Sequence, residues 1–108
     1  MTTLVDWNDG DWSRALGEAR LRPSDIAETI SADEGCYDGE GWLAVVRLTQ
    51  AAGAGRFALI YASCCYTGWG CNSGGGYEEA GTLADLCRLV MDADQRARLG
   101  YDVFGERV

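Results

Sequence analysis

Two apolar runs, Trp42-Leu43-Ala44-Val45-Val46-Arg47-Leu48-Thr49 and Phe57-Ala58-Leu59-Ile60-Tyr61-Ala62-Ser63, constrain the fold more than any other part of the chain. Both are rich in β-branched and apolar residues, as strands are. The link between them, Gln50-Ala51-Ala52-Gly53-Ala54-Gly55, is short and glycine-rich, which predicts an antiparallel hairpin over 42–49 and 57–63. Alternation then puts Trp42, Ala44, Val46 and Leu48 on one face, and Phe57, Leu59 and Tyr61 on one face of the partner strand. Trp42, Val46, Leu59 and Tyr61, with Leu83, Leu86 and Val90 from a later segment, are expected to be buried together.

The flanks read as helical. Trp12, Leu16 and Ala19 fall at i, i+4 and i+7, predicting a helix over about 12–21 with Asp11 as its N-cap. A second helix is expected after Pro23, capped by Ser24, with Ile26 and Ile30 four apart on its apolar side, stopping near Ser31. The stretch from Asp33 to Gly41 alternates acids with glycines and predicts an exposed acidic loop. Cys64 to Gly76 reads as a loop or pair of turns, and a short third strand is expected near 77–80. Thr82-Leu83-Ala84-Asp85 opens a helix over about 83–91 by a capping-box pattern, and Asp92-Ala93-Asp94-Gln95 caps another that stops at Gly100. The expected fold is therefore α+β: a small antiparallel sheet packed with N-terminal and C-terminal helices. At 108 residues the chain is expected to form a single domain, 1–108.

Charge and composition exclude several functions. The net charge is −8, and it is uneven: residues 1–40 hold ten acids and three arginines, residues 41–77 two arginines and no acid, residues 78–108 seven acids and four arginines. That distribution fits a weakly charged sheet flanked by acidic segments, and it disfavours direct nucleic-acid binding, which needs clustered positive charge. Every basic residue is arginine, with neither lysine nor histidine in the chain. Triads built on histidine, imidazole metal ligands, Schiff bases and phosphate-loop lysines are therefore ruled out. The absence of a long apolar run or a basic, apolar leader points to a cytoplasmic protein with no membrane segment.

Five cysteines, at 36, 64, 65, 71 and 87, cannot all pair within one chain, and free cytosolic thiols are the plain expectation. None of the spacings is the short C-x₂₋₄-C knuckle of a zinc site, so no metal and no cofactor is expected. The glycines at 68, 70 and 74 miss the dinucleotide pattern, no Gly-Lys-Ser/Thr follows, and the next helix starts well beyond Gly76, so a phosphate site is not expected either.

The most distinctive segment is Ser63-Cys64-Cys65-Tyr66-Thr67-Gly68-Trp69-Gly70-Cys71-Asn72. It resembles the S-C-D-Y-T-G-W-D-C-Q motif of a group of small uncharacterised proteins from actinobacteria and their phages. Thr82-Leu83-Ala84-Asp85-Leu86 and Arg96-Ala97-Arg98-Leu99-Gly100 resemble that group's T-L-x-x-L and R-x-x-L-G segments. The resemblance covers the second half of the chain and implies a strand, this turn and a leucine-rich helix, but no activity. Cys65 and Gly70 stand where the motif has aspartates and Asn72 where it has glutamine, so a role for two carboxylates does not carry over.

Three readings of the turn compete. Tyr66 and Trp69 pack the hairpin end, with Gly68 and Gly70 allowing tight turns; or Tyr66, Thr67 and Trp69 form a recognition loop, with Asp33, Glu34 and Asp38 as an acidic surface that steers a basic partner; or Cys64 or Cys71 carries redox chemistry or catalysis. Missing catalytic residues, acidic charge and the resemblance together favour a non-catalytic protein-binding module, of phage or mobile-element origin, acting on a host or defence protein. A cysteine-dependent redox protein or enzyme is the alternative.

Overall fold

A computed structural model of the chain describes residues 5–37, 39–70 and 73–108. Four antiparallel strands lie in sequence order: β1 (Ile26–Asp33), β2 (Trp42–Leu48), β3 (Phe57–Ser63) and β4 (Gly74–Ala80). The helix α1 (Gly10–Glu18) precedes the sheet, α2 (Gln50–Gly53) sits in the β2–β3 link, and α3 (Leu83–Asp85) and α4 (Ala93–Leu99) follow it. The result is an α+β fold, and among the described residues no helix is long and apolar enough to cross a membrane.

The central hairpin forms in the expected place, with Trp42 opposite Ala62 and Arg47 opposite Phe57. Its near-continuous apolar runs are used on both faces. Ala44, Val46, Leu48, Ala58 and Ile60 pack with Leu16, Ala19 and Trp7 on the α1 side. Leu43, Val45 and Leu59 pack with Leu86, Cys87, Met91 and Leu99 on the other. The expectation that Trp42, Val46, Leu59, Tyr61, Leu83, Leu86 and Val90 share one core is therefore corrected. Trp42 and Val46 lie on the α1 face, Leu59 and Leu86 on the opposite one, and Tyr61 is 37% exposed. A sheet covered on both sides needs two cores, because cross-strand partners share a face and neighbours along a strand do not.

The largest departure follows Pro23. The turn Pro23–Asp25 is a single 3₁₀ turn, and the residues after it form β1 instead of a helix. Apolar residues four apart fit one face of either structure, and here the exposed edge of β2 supplies a ladder of backbone partners that a short isolated helix would lack. Register shifts between Ile26 and Glu28 and between Thr29 and Ser31 then alter the alternation. Ile26 consequently reaches the α1 core while Ile30 reaches the other. The strand expected near 77–80 is β4, the fourth, and it is longer than expected, opening on Gly74.

The C-terminal helices follow the sequence closely. Thr82 Oγ1 accepts from the Asp85 N–H at 3.1 Å, and Asp92 and Gln95 form a reciprocal capping box ending at Gly100, whose φ is 84°. Beyond α3 the chain widens into a π-helical turn over Leu86–Val90. Arg96 Nη1 donates to the Cys87 and Met91 carbonyls at 2.9 and 2.7 Å, satisfying acceptors that the end of that turn leaves free.

Candidate functional site

The turn after β3 is built on α1. The Gly68 N–H donates to the Cys65 carbonyl at 2.9 Å, closing a four-residue turn with Tyr66 and Thr67 at its centre. Gly68 and Gly70 have φ of 100° and 106°, a region that a side chain makes costly. Trp69 then folds back over Trp42, their ring centroids 5.1 Å apart, and Tyr37 flanks Trp42 at 6.1 Å. Asp11 joins these pieces. Its Oδ1 accepts from Trp69 Nε1 and from the Tyr37 hydroxyl, each at 2.9 Å.

Asp11 was expected to cap α1 from outside, but Asp9 takes the N-cap position and Asp11 lies within the first turn. There its charge is favourably placed at the helix N-terminus, and its carboxylate faces the turn. The hydrogen bond to this carboxylate, with lesser contributions from burial and from its charge, raises the Tyr37 pKa above its ordinary value. Trp42 is 1% exposed, and its Nε1 has no hydrogen-bond partner among the described residues. A buried unsatisfied N–H costs about 1–3 kcal/mol, which the aromatic packing must offset.

The sequence-based site residues separate into distinct roles. Tyr66 is 76% exposed at the centre of the turn. Trp69 is half-buried and bonded, so it acts as a support for the turn and not as its exposed contact. Thr67 is exposed and its hydroxyl lies 2.9 Å from Cys65 Sγ. Cys65 is disulfide-bonded, which departs from the expectation of free thiols throughout, whereas Cys36, Cys64 and Cys87 are free. A disulfide sulfur carries no proton, so the Thr67 hydroxyl is the donor of that contact. Cys64 is buried beneath the turn; burial pushes its thiol pKa up, and the Asp11 carboxylate and Cys36 add to the shift. Cys71 and Asp38 lie outside the described residues.

Of the acidic residues read as a steering surface, Asp33 is tied to an arginine and Glu34 is exposed. Asp33 Oδ2 lies 2.6 Å from Arg98 Nε, and Glu40 lies 3.6 Å from the same nitrogen. Arg98 Nη2 also donates to the Gly41 carbonyl at 2.7 Å, so its charge ties the acidic loop to α4. Asp33 is therefore neutralised within the fold, whereas Glu34 and Glu40 are exposed. Beside Arg98 an open cleft of about 490 Å³ runs along Leu43, Tyr61, Asp92 and Asp94. Its one arginine is paired with Asp33, and Asp92 is engaged as a helix cap. Among the described residues no group of three Cys, Asp or Glu side chains is placed to hold a metal ion.

Sequence reasoning missed Tyr37 and the role of Asp11. No local pattern links them to Trp69, because the bonds span 26 and 58 positions of the chain. No protein-family model, curated protein or solved structure matches this chain.

Proposed function

We propose that the protein is a non-catalytic binding module that presents Tyr66 to a protein partner. The observation that carries this reading is a tyrosine 76% exposed at the tip of a turn held from beneath. Trp69 is bonded to Asp11 and packed against Trp42, and Cys65 is cross-linked. A tip ordered before binding loses little entropy on association, and tyrosine brings a large contact area with only two side-chain torsions. The charge of −8 favours a partner with a basic surface, with Glu34 close to the aromatic core of the site in sequence and exposed. The resemblance of residues 63–72 to proteins of actinobacteria and their phages supports a phage or mobile-element protein acting on a host or defence protein inside the cytoplasm.

The alternative is redox or catalytic use of Cys64 or Cys71; at Cys64 it has less support, since a buried thiol with a raised pKa holds little of the reactive thiolate near neutrality, and Cys71 lies outside the described residues. Capture experiments with immobilised wild type and Tyr66→Ala protein distinguish the two. A partner held by the wild type and lost from an equally folded Tyr66→Ala variant is the expected result. Identical capture by both proteins, with one free cysteine labelling far faster than the others in the native state, would replace this reading with the redox one.

A further inference from the structure

The two edges of the sheet are finished differently. Along β1 the register shifts twice, the Ser31 hydroxyl donates to the Leu99 carbonyl at 2.9 Å, and Trp7 Nε1 donates to Thr29 Oγ1 at 2.9 Å. Bulges and covering contacts of this kind keep an edge from recruiting another strand. β4 has no such device. It pairs with β3 without a register shift from Phe57↔Ala80 to Ser63↔Gly74. Among the described residues no hydrogen bond reaches a β4 backbone group except from β3. In an antiparallel ladder alternate residues turn their N–H and C=O groups away from the partner, so β4 presents an unpaired outer row. Gly75, Glu78 and Glu79 on this strand are exposed.

We propose that β4 pairs antiparallel with β4 of a second copy of this chain, about a two-fold axis at Tyr77, joining the two sheets edge to edge. In that register Gly75 faces the partner's Glu79, Gly76 faces the partner's Glu78, and Gly74 faces the partner's Ala80. Each glutamate then meets a glycine and not another glutamate. Pairing with Ala62, Ile60 and Ala58 places Gly75, Tyr77 and Glu79 on the α1 face. On that face Glu18 and Arg20 line an open hollow with Gly74, Gly75, Gly76 and Tyr77; Glu18 accepts from the Ser73 hydroxyl at 2.9 Å, and Arg20 has no ion pair among the described residues. The partner's Glu79, whose contact with its own Arg56 is 3.5 Å long, would project over Gly75 toward that guanidinium.

The opposite face offers a second match. A Cβ built on Gly76 would lie 2.9 Å from the Tyr61 hydroxyl, so this hydroxyl sits against the glycine. It has no hydrogen bond of its own among the described residues, and the partner's Glu78, directly across from Gly76, supplies an acceptor. Directly opposed residues on adjacent strands have Cβ atoms only about 4.5–5.5 Å apart, within reach of both contacts. At the axis the two Tyr77 rings become cross-strand neighbours on the α1 face. This surface is separate from the Tyr66 turn, so its failure would leave the binding reading intact.

Sedimentation equilibrium of the full chain tests the proposal, combined with hydrogen exchange of residues 74–80 at high and low protein concentration. The wild type should dimerise reversibly, with exchange in 74–80 slowing as the dimer forms. Arg20→Glu and Glu79→Arg should each weaken the dimer by at least about tenfold, the scale of one close interfacial charge pair. The double variant Arg20→Glu/Glu79→Arg should recover most of the affinity. Recovery separates an intermolecular contact from damage to the Arg56–Glu79 pair within one chain, which is 3.5 Å long and which the double variant also loses. A wild type that stays monomeric at its highest soluble concentration overturns the proposal, and so does a dimer indifferent to both reversals.

Discussion

The two faces of the sheet reach the same degree of burial with different chemistry. On the α1 face all four tryptophans cluster: Trp7 against Trp12, Trp42 against Trp69, with Trp12 reaching both groups. Their indole N–H groups need partners, and Thr29 and Asp11 supply two of them. The other face is mainly aliphatic, and its polar contacts run to backbone carbonyls, such as Arg96 to Cys87 and Met91 and the Ser31 hydroxyl to Leu99. Aliphatic packing is non-directional, whereas a buried indole is held by both shape and hydrogen bonding. The difference ties the α1 face to the exposed turn, so that damage there should alter function as well as stability, while damage to the aliphatic face should alter stability alone.

The largest effects test this division directly. Trp42→Ala should cost about 3–5 kcal/mol and Leu59→Ala about 2–5 kcal/mol in chemical denaturation, both being almost fully buried. The informative contrast is in the turn: hydrogen exchange at Gly68, whose N–H closes it, should accelerate strongly in Trp42→Ala and stay close to wild type in Leu59→Ala. Equal acceleration in both would mean that the faces are not separable. An unchanged melting temperature in Leu59→Ala would refute the assignment of β3 to the core.

Next in size is Asp11→Ala, which removes the shared acceptor of Trp69 and Tyr37 and should cost about 1–3 kcal/mol. Asp11→Asn keeps an acceptor oxygen and should recover part of the loss. It should also relieve the upward pressure on the Tyr37 phenol, whose pKa is raised first by this hydrogen bond. Spectrophotometric titration of Tyr37 in the two proteins measures the change. A Tyr37 pKa that is the same in Asp11→Asn as in wild type would show that the contact is absent in solution.

How much of this was legible in the sequence depends on the range of the forces involved. β2 and β3 stand out because burial on both faces requires a nearly unbroken apolar run, and their register follows from a short link. The N-cap at Thr82 and the capping box at Asp92 were equally legible, since a cap is a contact over three residues. β1 was not, because Ile26 and Ile30 satisfy a helical spacing and the register shifts that place them on opposite faces depend on β2. β4 opens with three glycines, poor strand formers that the edge of β3 nonetheless orders. In the candidate site, the glycine turn and the packing of Trp69 at the hairpin end were among the readings the residues offered, but which of Tyr66 and Trp69 stays exposed was not, because the acceptor that holds Trp69 lies on a helix far away in sequence.

Alkaline titration gives a smaller effect on each face. The Cys64 thiol on the α1 face and the Cys87 thiol on the aliphatic face both have pKa values raised above 9.0, in each case first by burial. A pKa raised in the folded state means that the folded state binds the proton more tightly than the unfolded chain. The associated stability is fully present below the unfolded value and is lost as pH rises from there through the folded one. Melting temperatures should therefore begin to fall near pH 9, and Cys64→Ala and Cys87→Ala should each flatten part of that decline. Tyr101, raised above 10.0 chiefly by burial, adds a later step on the aliphatic face. A decline of the same steepness in the double cysteine variant would refute the thiols as its cause.

The smallest expected stability effect is at Tyr66, and it separates the exposed turn from the face that supports it. With 76% of its surface exposed, Tyr66 has little packing to lose, and Tyr66→Ala should change folding stability by no more than about 0.5 kcal/mol. Trp69→Ala removes a ring packed against Trp42 and a bond to Asp11, and should cost about 1–3 kcal/mol. For a captured partner the two variants should nevertheless agree in direction, Tyr66→Ala speeding dissociation by removing the contact and Trp69→Ala by loosening its support. Charge reversal at exposed Glu34 should act differently, slowing association at low salt and losing this effect as the Debye length shrinks from about 30 Å at 0.01 M to about 8 Å at 0.15 M. The decisive measurement is a set of dissociation rates taken beside denaturation curves for the same proteins. If Trp69→Ala unfolds more easily while both variants release the partner at the wild-type rate, the aromatic face is a core and nothing more, and the binding surface lies elsewhere on the molecule.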